Sequence, residues 1–194
     1  MTRESSFPID DAILARWSPR AFDRRAITPA QLMHLFEAAR WAPSCYNSQP
    51  WRFIYAVREG NDWEKLLSVL DPFNRDWAQH AGALVVVAAK RTMTTKPGQS
   101  PVLSPSYAFD AGAACSMLAL EATRQGLHTH VMAGISRERA VHLLRVPHDC
   151  EVLVAIAIGG IGDPASLPDG LRVRELPSGR QALEQIAFEG EFAG

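Results

Sequence analysis

The sequence predicts a layered domain of class α+β or α/β, with helices packed on a sheet. Three observations lead to this fold class. Helical periodicity dominates the first 40 residues, β-type segments then alternate with helical ones, and about four strands are expected in all. A chain of 194 residues with 47% hydrophobic residues can bury a sizeable core, so we expect one domain over residues 1–194.

Two helices are expected before the first strand. Apolar residues at helical spacing predict a first helix from Ile9 that ends near Ser18-Pro19. A second helix begins at Thr28, which has Pro29 after it and Gln31 at the capping-box position. That helix should stop before Pro43, because proline disfavours a helical conformation at the residue before it.

The middle of the chain contains two predicted strands. Residues 51–57 alternate and are rich in aromatic and β-branched side chains, and residues 83–89, "ALVVVAA", form a continuous run typical of a strand buried on both faces. Between them, residues 61–70 have the periodicity of an amphipathic helix. Residues 90–106 have no periodicity, and a loop of this length is usually functional or mobile.

The second half begins with the longest predicted helix, residues 107–125, closed by Gly126. Its small-residue segment 111–115 should be buried, because it can approach other backbone closely. Two further strands, a helix capped by Ser136 and a long tail follow. The tail begins at Gly159, is rich in Gly and Pro, and has one helical piece near residues 182–187. We expect it to lie on another surface, such as that of a second subunit.

Composition and charge exclude several classes of protein. The formal net charge is −1, the charged share is 21%, and no Lys/Arg block is present, which argues against a nucleic acid or an anionic membrane as the main partner. The longest apolar runs are far shorter than a membrane span. Three widely spaced cysteines do not suggest a disulfide framework, and the polar N-terminus has no apolar signal region. We therefore expect a cytoplasmic protein.

An arginine-rich break follows the first helix. Arg16, Ser18 and Arg20 could face one anion, because guanidinium forks and a hydroxyl suit a phosphate. The alternative is a solvated charged linker.

A second polar stretch lies between Pro43 and Pro50. Its short hydrogen-bonding side chains carry both donors and acceptors, which would suit a flat heterocycle; the alternative is an ordinary polar loop. The side chains are those of Ser44, Cys45, Asn47 and Gln49, within an aromatic frame of Trp41, Tyr46 and Trp51.

Other motifs carry less information. "MAGI", residues 132–135, either lets a ligand approach the backbone or is a plain strand-to-helix turn. "AIGGIGDP" lacks the spacing and the following helix of a dinucleotide-binding loop. His128 and His130 have no further ligand at a familiar spacing, so no metal is expected. Cys45 has no local base and is more consistent with a packed or ligand-facing thiol than with a nucleophile.

Together these pieces resemble the FMN-dependent nitroreductase family. The resemblance covers nearly the whole chain through "RWSPRAF", "AARWAPSCYNSQPWRFI", "MAGI" and "LPSGRQALEQIAFEGEF". It implies a three-layer α+β fold with a mixed or antiparallel central sheet flanked by helices. It also implies a homodimer with FMN at the subunit interface and an exchanged C-terminal tail.

The resemblance also implies a set of cofactor-binding residues. One group would hold the phosphate and neighbouring polar atoms of FMN, and it comprises Arg16, Trp17, Ser18, Arg20 and Arg180. A loop from the partner subunit would reach the flavin through Pro43, Ser44, Cys45 and Asn47. Met132, Ala133 and Gly134 would lie along the ring, and Asn74 would contact its pyrimidine edge. The sequence departs from the family at Cys45, where serine is frequent, and at Ser178, where some members have a second basic residue.

The implied activity is transfer of hydride from NADH or NADPH through flavin N5 to nitroaromatic, quinone or related small-molecule acceptors, by a ping-pong mechanism. The flavin supplies the chemistry, so no catalytic side chain is assigned. Three alternatives stay open. They are a specialised flavin reaction on the same fold (reductive dehalogenation or flavin cleavage), a non-enzymatic FMN-binding protein, and a helical interaction domain without flavin.

Overall fold

The computed structural model describes residues 3–192, so the ends of the predicted 1–194 domain lie outside it. Seven α-helices are described, and short 3-10 turns occur at Cys45–Asn47, Pro164–Ser166 and Leu183–Gln185. The helices are α1 (Asp11–Ala15), α2 (Pro29–Arg40), α3 (Trp63–Leu67), α4 (Pro72–Ala78), α5 (Tyr107–Arg124), α6 (Arg137–Leu143) and α7 (Asp169–Arg172). The strands are β1 (Trp51–Val57), β2 (Ala83–Lys90), β3 (Thr92–Met93), β4 (Val102–Leu103), β5 (His128–Met132) and β6 (Cys150–Gly159).

The central sheet has four antiparallel strands in the order β1-β2-β6-β5. In β2, Val85 is paired with Tyr55 of β1 on one side and Ile156 of β6 on the other. The register with β6 shifts between Val87 and Ala88, where the ladder is irregular. The strands β3 and β4 form a separate hairpin.

Strand β2 shows why the molecule has three layers. Successive side chains of a strand point to opposite faces, and every residue from Ala83 to Ala89 is buried. Val85 and Val87 pack with α2 and α5, whereas Leu84 and Val86 pack in a second core with α3, α4 and α6. The prediction of a strand buried on both faces is confirmed, and so is the α+β class with helices flanking the sheet.

Helix boundaries follow local capping chemistry. Thr28 accepts the N–H of Gln31, and the Gln31 side chain accepts the N–H of Thr28, which is the predicted capping box. Ser136 accepts the N–H of Arg139 at the start of α6. Gly126 has φ +71°, a left-handed conformation that glycine adopts without a steric penalty after α5.

Four expectations need correction. The first helix is shorter than predicted. The predicted helix 61–70 is confined to α3. A further helix, α4, was not predicted; it begins at Pro72, because proline is favoured at the first helical position. The loop 90–106 contains the β3–β4 hairpin. In the tail, α7 was not predicted.

The small-residue segment of α5 is buried on one face only. Ala111 and Ala114 are fully buried, whereas Gly112 is exposed. Helical periodicity places only one face of α5 against the sheet. Among residues 3–192, no helix combines the length and apolar character that a membrane crossing needs. The exchange of the tail in a homodimer stays a prediction.

Candidate functional site

Three arginines from distant parts of the chain meet where α1 ends. We call Arg3, Arg16 and Arg180 the arginine cluster. The Arg3 guanidinium donates to the main-chain oxygens of Leu14 (2.9 Å), Arg16 (2.6 Å) and Ser178 (3.0 Å). It therefore ties the end of α1 to the tail segment that carries Arg180.

The arginine cluster brings like charges close together. Burial, and then the nearby charges of Arg180 and Arg3, lower the pKa of Arg16. Burial and Arg180 likewise lower the pKa of Arg3. Within residues 3–192, no carboxylate lies within 4.0 Å of these guanidiniums. Neighbouring like charges without a counter-ion favour an anion between them.

Two further polar groups lie beside Arg16. The Ser18 hydroxyl is 3.5 Å from a terminal guanidinium nitrogen of Arg16. His128 on β5 is half-buried, and its Nδ1 has no hydrogen-bond partner among the described residues. The ring of Trp17 packs edge-on against the imidazole, with the two ring centroids 6.1 Å apart. Burial and the Arg16 charge lower the pKa of His128, so the imidazole is held neutral.

An open apolar cavity of about 610 Å³ adjoins this group, a volume typical of small-molecule sites. Arg16 and Ser18 line it, and α5 contributes several small residues. Of the predicted site residues, only these two line it. The other lining residues are Ile13, Val87, Ala108, Ala111, Gly112, Cys115, Ser116, Ala119, Leu120, Thr129, Val131, Leu153 and Val154.

Arg20 has a different neighbour from Arg16. Its guanidinium lies 3.9 Å from Oε2 of Glu175, whose side chain is 1% exposed. Oε1 of Glu175 accepts the main-chain N–H groups of Arg20 and Ala21. The expectation that Arg16 and Arg20 face one anion therefore needs refinement, because only Arg20 has a carboxylate partner.

The polar loop after α2 has an unusual backbone. Tyr46, Asn47 and Gln49 have φ values of 51°, 52° and 47°, in the left-handed region that non-glycine residues rarely adopt. Ser44 accepts the N–H of Gln49, and the N–H of Cys45 donates to Asp110 at 3.1 Å. These bonds hold the loop against the start of α5.

None of residues 43–49 lines the cavity. Pro43 and Asn47 are exposed, and Ser44 and Cys45 are half-buried. The predicted aromatic frame does not form, because Trp51 is buried in the core while Trp41 and Tyr46 are exposed. Sequence periodicity could not separate these tryptophans, since one lies in a strand and the other at a helix end.

The "MAGI" segment, residues 132–135, lies against Asn74 of α4. The Asn74 amide donates to the Gly134 oxygen at 3.0 Å, and a Cβ at position 134 would collide with it. A larger residue at position 134 would therefore have to displace the Asn74 amide. Met132 is buried in the core, whereas Ala133 is exposed, so only backbone and Ala133 of this segment are accessible.

Sequence reasoning missed Arg3, Asp110 and Glu175. Nothing at local spacing marks Arg3 or Glu175, because their partners are distant in the chain. Asp110 could have been noticed as an acidic residue in the first turn of a buried helix. Among residues 3–192, no three or more His, Cys, Asp or Glu side chains meet as a metal site would require.

Comparison with known proteins gives a consistent picture. The profile of the Nitroreductase family matches residues 13–70. A crystal structure described as an oxidoreductase containing FMN superposes with a TM-score of 0.94 at 41% identity, over 99% of this chain and 96% of that one.

Two curated proteins are also similar. An uncharacterised 15.4 kDa protein of Mycolicibacterium smegmatis is 35% identical over 60% of this chain and 75% of its own length. The oxygen-insensitive NADPH nitroreductase of Helicobacter acinonychis is 32% identical over 42% of this chain. That match covers 39% of the Helicobacter enzyme.

Proposed function

The chain belongs to the nitroreductase family, and from that premise we propose that it is an oxidoreductase that holds FMN and is reduced by NADH or NADPH. The observation that carries the proposal is the arginine cluster. Three guanidiniums with no carboxylate within 4.0 Å among the described residues form a site for a dianionic phosphate.

The residues present fit FMN in three respects. The arginine cluster supplies charge for the phosphate. His128 Nδ1 and Arg20 Nε are buried polar atoms without partners among residues 3–192, and both require a ligand or water. The apolar cavity beside Arg16 is large enough for part of a ring system.

We assign distinct roles to the candidate residues. Arg16, Ser18 and Arg180 would bind the phosphate. Trp17 would support their segment of the chain through its contact with His128. Arg20 would donate hydrogen bonds to other polar atoms of FMN. The accessible part of residues 132–134, held by Asn74, would lie along the ring. When bound, FMN would accept a hydride at N5 and return it to an oxidant. The chain's own contribution is to bind, orient and supply donors where negative charge develops.

A ping-pong sequence is the simplest course for one open site that serves two substrates in turn. After it has given up its hydride, the oxidised nicotinamide would leave before a small acceptor, such as a nitroaromatic or a quinone, takes its place. Hydride transfer through the flavin would need no acid or base from the protein.

We further propose that the chain forms one domain, that two copies associate as a homodimer, and that the protein is located in the cytoplasm. The loop 43–47 does not line the cavity of its own chain, which is consistent with a role at the partner's site. The tail exposes large apolar side chains, including Val173 (73%), Leu176 (68%) and Phe192 (84%), and a second subunit would cover them.

The test is a visible spectrum of the purified protein before and after anaerobic addition of NADH or NADPH. We expect oxidised-flavin bands that bleach on addition and return with a nitroaromatic or quinone. Bands that do not bleach would support a non-enzymatic FMN-binding protein instead. Absence of bands after incubation with FMN would contradict the proposal.

A further inference from the structure

Glu175 is a buried carboxylate without an assigned role. The residue is 5% exposed, and its Oε1 accepts the N–H groups of Arg20 and Ala21, the latter at 2.8 Å. Ionised carboxylates are costly to bury unless charge and hydrogen bonds compensate them. Two main-chain donors and one guanidinium supply that compensation, and they fix Glu175 to the segment that carries Arg20.

The pairing between the two side chains is incomplete. Oε2 of Glu175 lies 3.9 Å from the nearest Arg20 nitrogen and has no hydrogen-bond partner among residues 3–192. Arg20 Nε is also buried and unpartnered there. A pair formed only for stability would close these bonds, since buried polar groups are almost always satisfied. The Arg20 guanidinium therefore retains hydrogen-bond donors for a ligand, while the negative charge of Glu175 acts on it at 3.9 Å.

The surroundings leave the carboxylate as the principal counter-charge. His130 is half-buried, its Nδ1 lies 3.0 Å from the Pro19 oxygen, and its ring packs on Trp77 at 4.6 Å. Burial lowers the pKa of His130 in spite of the opposing effects of the Pro19 bond and Glu175. The imidazole is thus neutral at pH 7, and Arg20 and Glu175 carry the charges.

We propose that Glu175 is a positioning residue that directs the Arg20 guanidinium toward FMN and cancels part of its charge, and so limits the preference for reduced over oxidised cofactor. This inference rests on the proposed function. Reduced nicotinamide gives up a hydride, which is two electrons and one proton, so bound FMN gains one negative charge. A free Arg20 charge would favour that product.

The decisive variant is E175Q, which keeps an oxygen for the two main-chain amides and removes the charge. We expect the ratio of reduced-FMN to oxidised-FMN affinity to rise about tenfold. For a two-electron couple this equals a positive shift of about 30 mV in the midpoint potential of bound FMN. The measurements are FMN titration by fluorescence quenching and a redox titration with a reference dye.

Two matched variants separate positioning from a merely structural role. E37Q removes a carboxylate that pairs with Arg40 on the exposed surface of α2, and it should leave the midpoint potential unchanged. E175D retains the charge and should leave the affinity ratio within about twofold of wild type. E175D also keeps the proposal testable if E175Q does not fold, because a tenfold change in the affinity ratio of E175D would overturn the proposal.

A double-mutant cycle tests the route of the effect. If Glu175 acts through Arg20, E175Q should not shift the potential in an R20Q background. An unchanged potential in the single variant, or an equal shift in both backgrounds, would overturn the inference while wild-type protein still binds FMN. Failure of the wild type to bind FMN would instead overturn the proposed function.

Discussion

Arg16 and Arg20 belong to one short motif, yet they lie in opposite electrostatic environments. Arg16 has Arg3 and Arg180 as charged neighbours and no carboxylate within 4.0 Å among the described residues, whereas Arg20 is held beside the buried Glu175. The first region has an excess of positive charge before any ligand arrives. In the second region, Glu175 offsets part of the Arg20 charge.

The difference teaches that identical side chains four positions apart need not share a task. Guanidiniums without a counter-charge destabilise the folded state, and an anion that binds between them removes this repulsion. Such a site therefore suits the binding of a phosphate. A guanidinium beside a carboxylate destabilises the folded state less, and it suits a role in orienting bound FMN and adjusting its midpoint potential. Each of the following predictions tests this contrast, from the largest expected effect to the smallest.

Replacement Glu175→Ala should have the largest effect, on stability. It leaves the Arg20 charge and two main-chain donors buried without their partner, and breaking such a pair costs about 3–5 kcal/mol. Urea unfolding of the apoprotein measures the loss. The control is Glu37→Ala on the exposed face of α2, and a similar midpoint for both variants would contradict the compensated environment of Arg20.

Replacement Arg16→Ala should act on binding rather than stability. We expect FMN affinity to fall by about 1.5–3 kcal/mol, the value of a charge-assisted hydrogen bond, or roughly 10- to 150-fold. Apoprotein stability should not fall, since a like-charge repulsion is removed. Equilibrium dialysis measures the affinity. Arg172→Ala, which removes an exposed arginine paired with Asp169, is the control, and equal retention of FMN by both would refute the phosphate site.

Inorganic phosphate should stabilise the apoprotein through the arginine cluster. At ten times its dissociation constant the expected gain is about 1.4 kcal/mol, seen as a higher melting temperature. The double variant Arg16→Ala/Arg180→Ala should lose this response, and chloride at equal ionic strength controls for screening. A response that persists in the double variant would place the anion elsewhere.

The smallest effect should be the acid dependence contributed by His128. Burial and Arg16 place its folded pKa below the ordinary value of about 6.5. The unfolded state then binds more protons, so this contribution to stability is complete above about pH 6.5 and is lost as the pH falls below it. Melting temperatures between pH 5 and 8 measure the slope.

His128→Gln should flatten that slope, whereas His34→Gln, on the exposed surface of α2, should not. Bound phosphate should also flatten it in the wild type, because an anion beside His128 favours the protonated ring. If phosphate leaves the slope unchanged, the anion does not neighbour His128.

Much of the fold could be predicted because its determinants are local. The β-branched run 83–89 identified a strand buried on both faces, and Thr28 with Gln31 identified the start of α2. The split between α3 and α4 was missed because Pro72, which ends one helical pattern, also begins another. The same motif spacing that indicated Arg16, Ser18 and Arg20 could not show that the two arginines have different neighbours.

The sequence by itself determined the periodicity, the caps and the motifs that carry the family resemblance, because each depends on residues a few positions apart. Only the tertiary structure decided the charge partners. Arg20 meets Glu175 across 155 positions, and Arg3 meets Ser178 across 175. Such contacts depend on how the strand order β1-β2-β6-β5 and the path of the tail bring distant segments together, and no local pattern encodes that path.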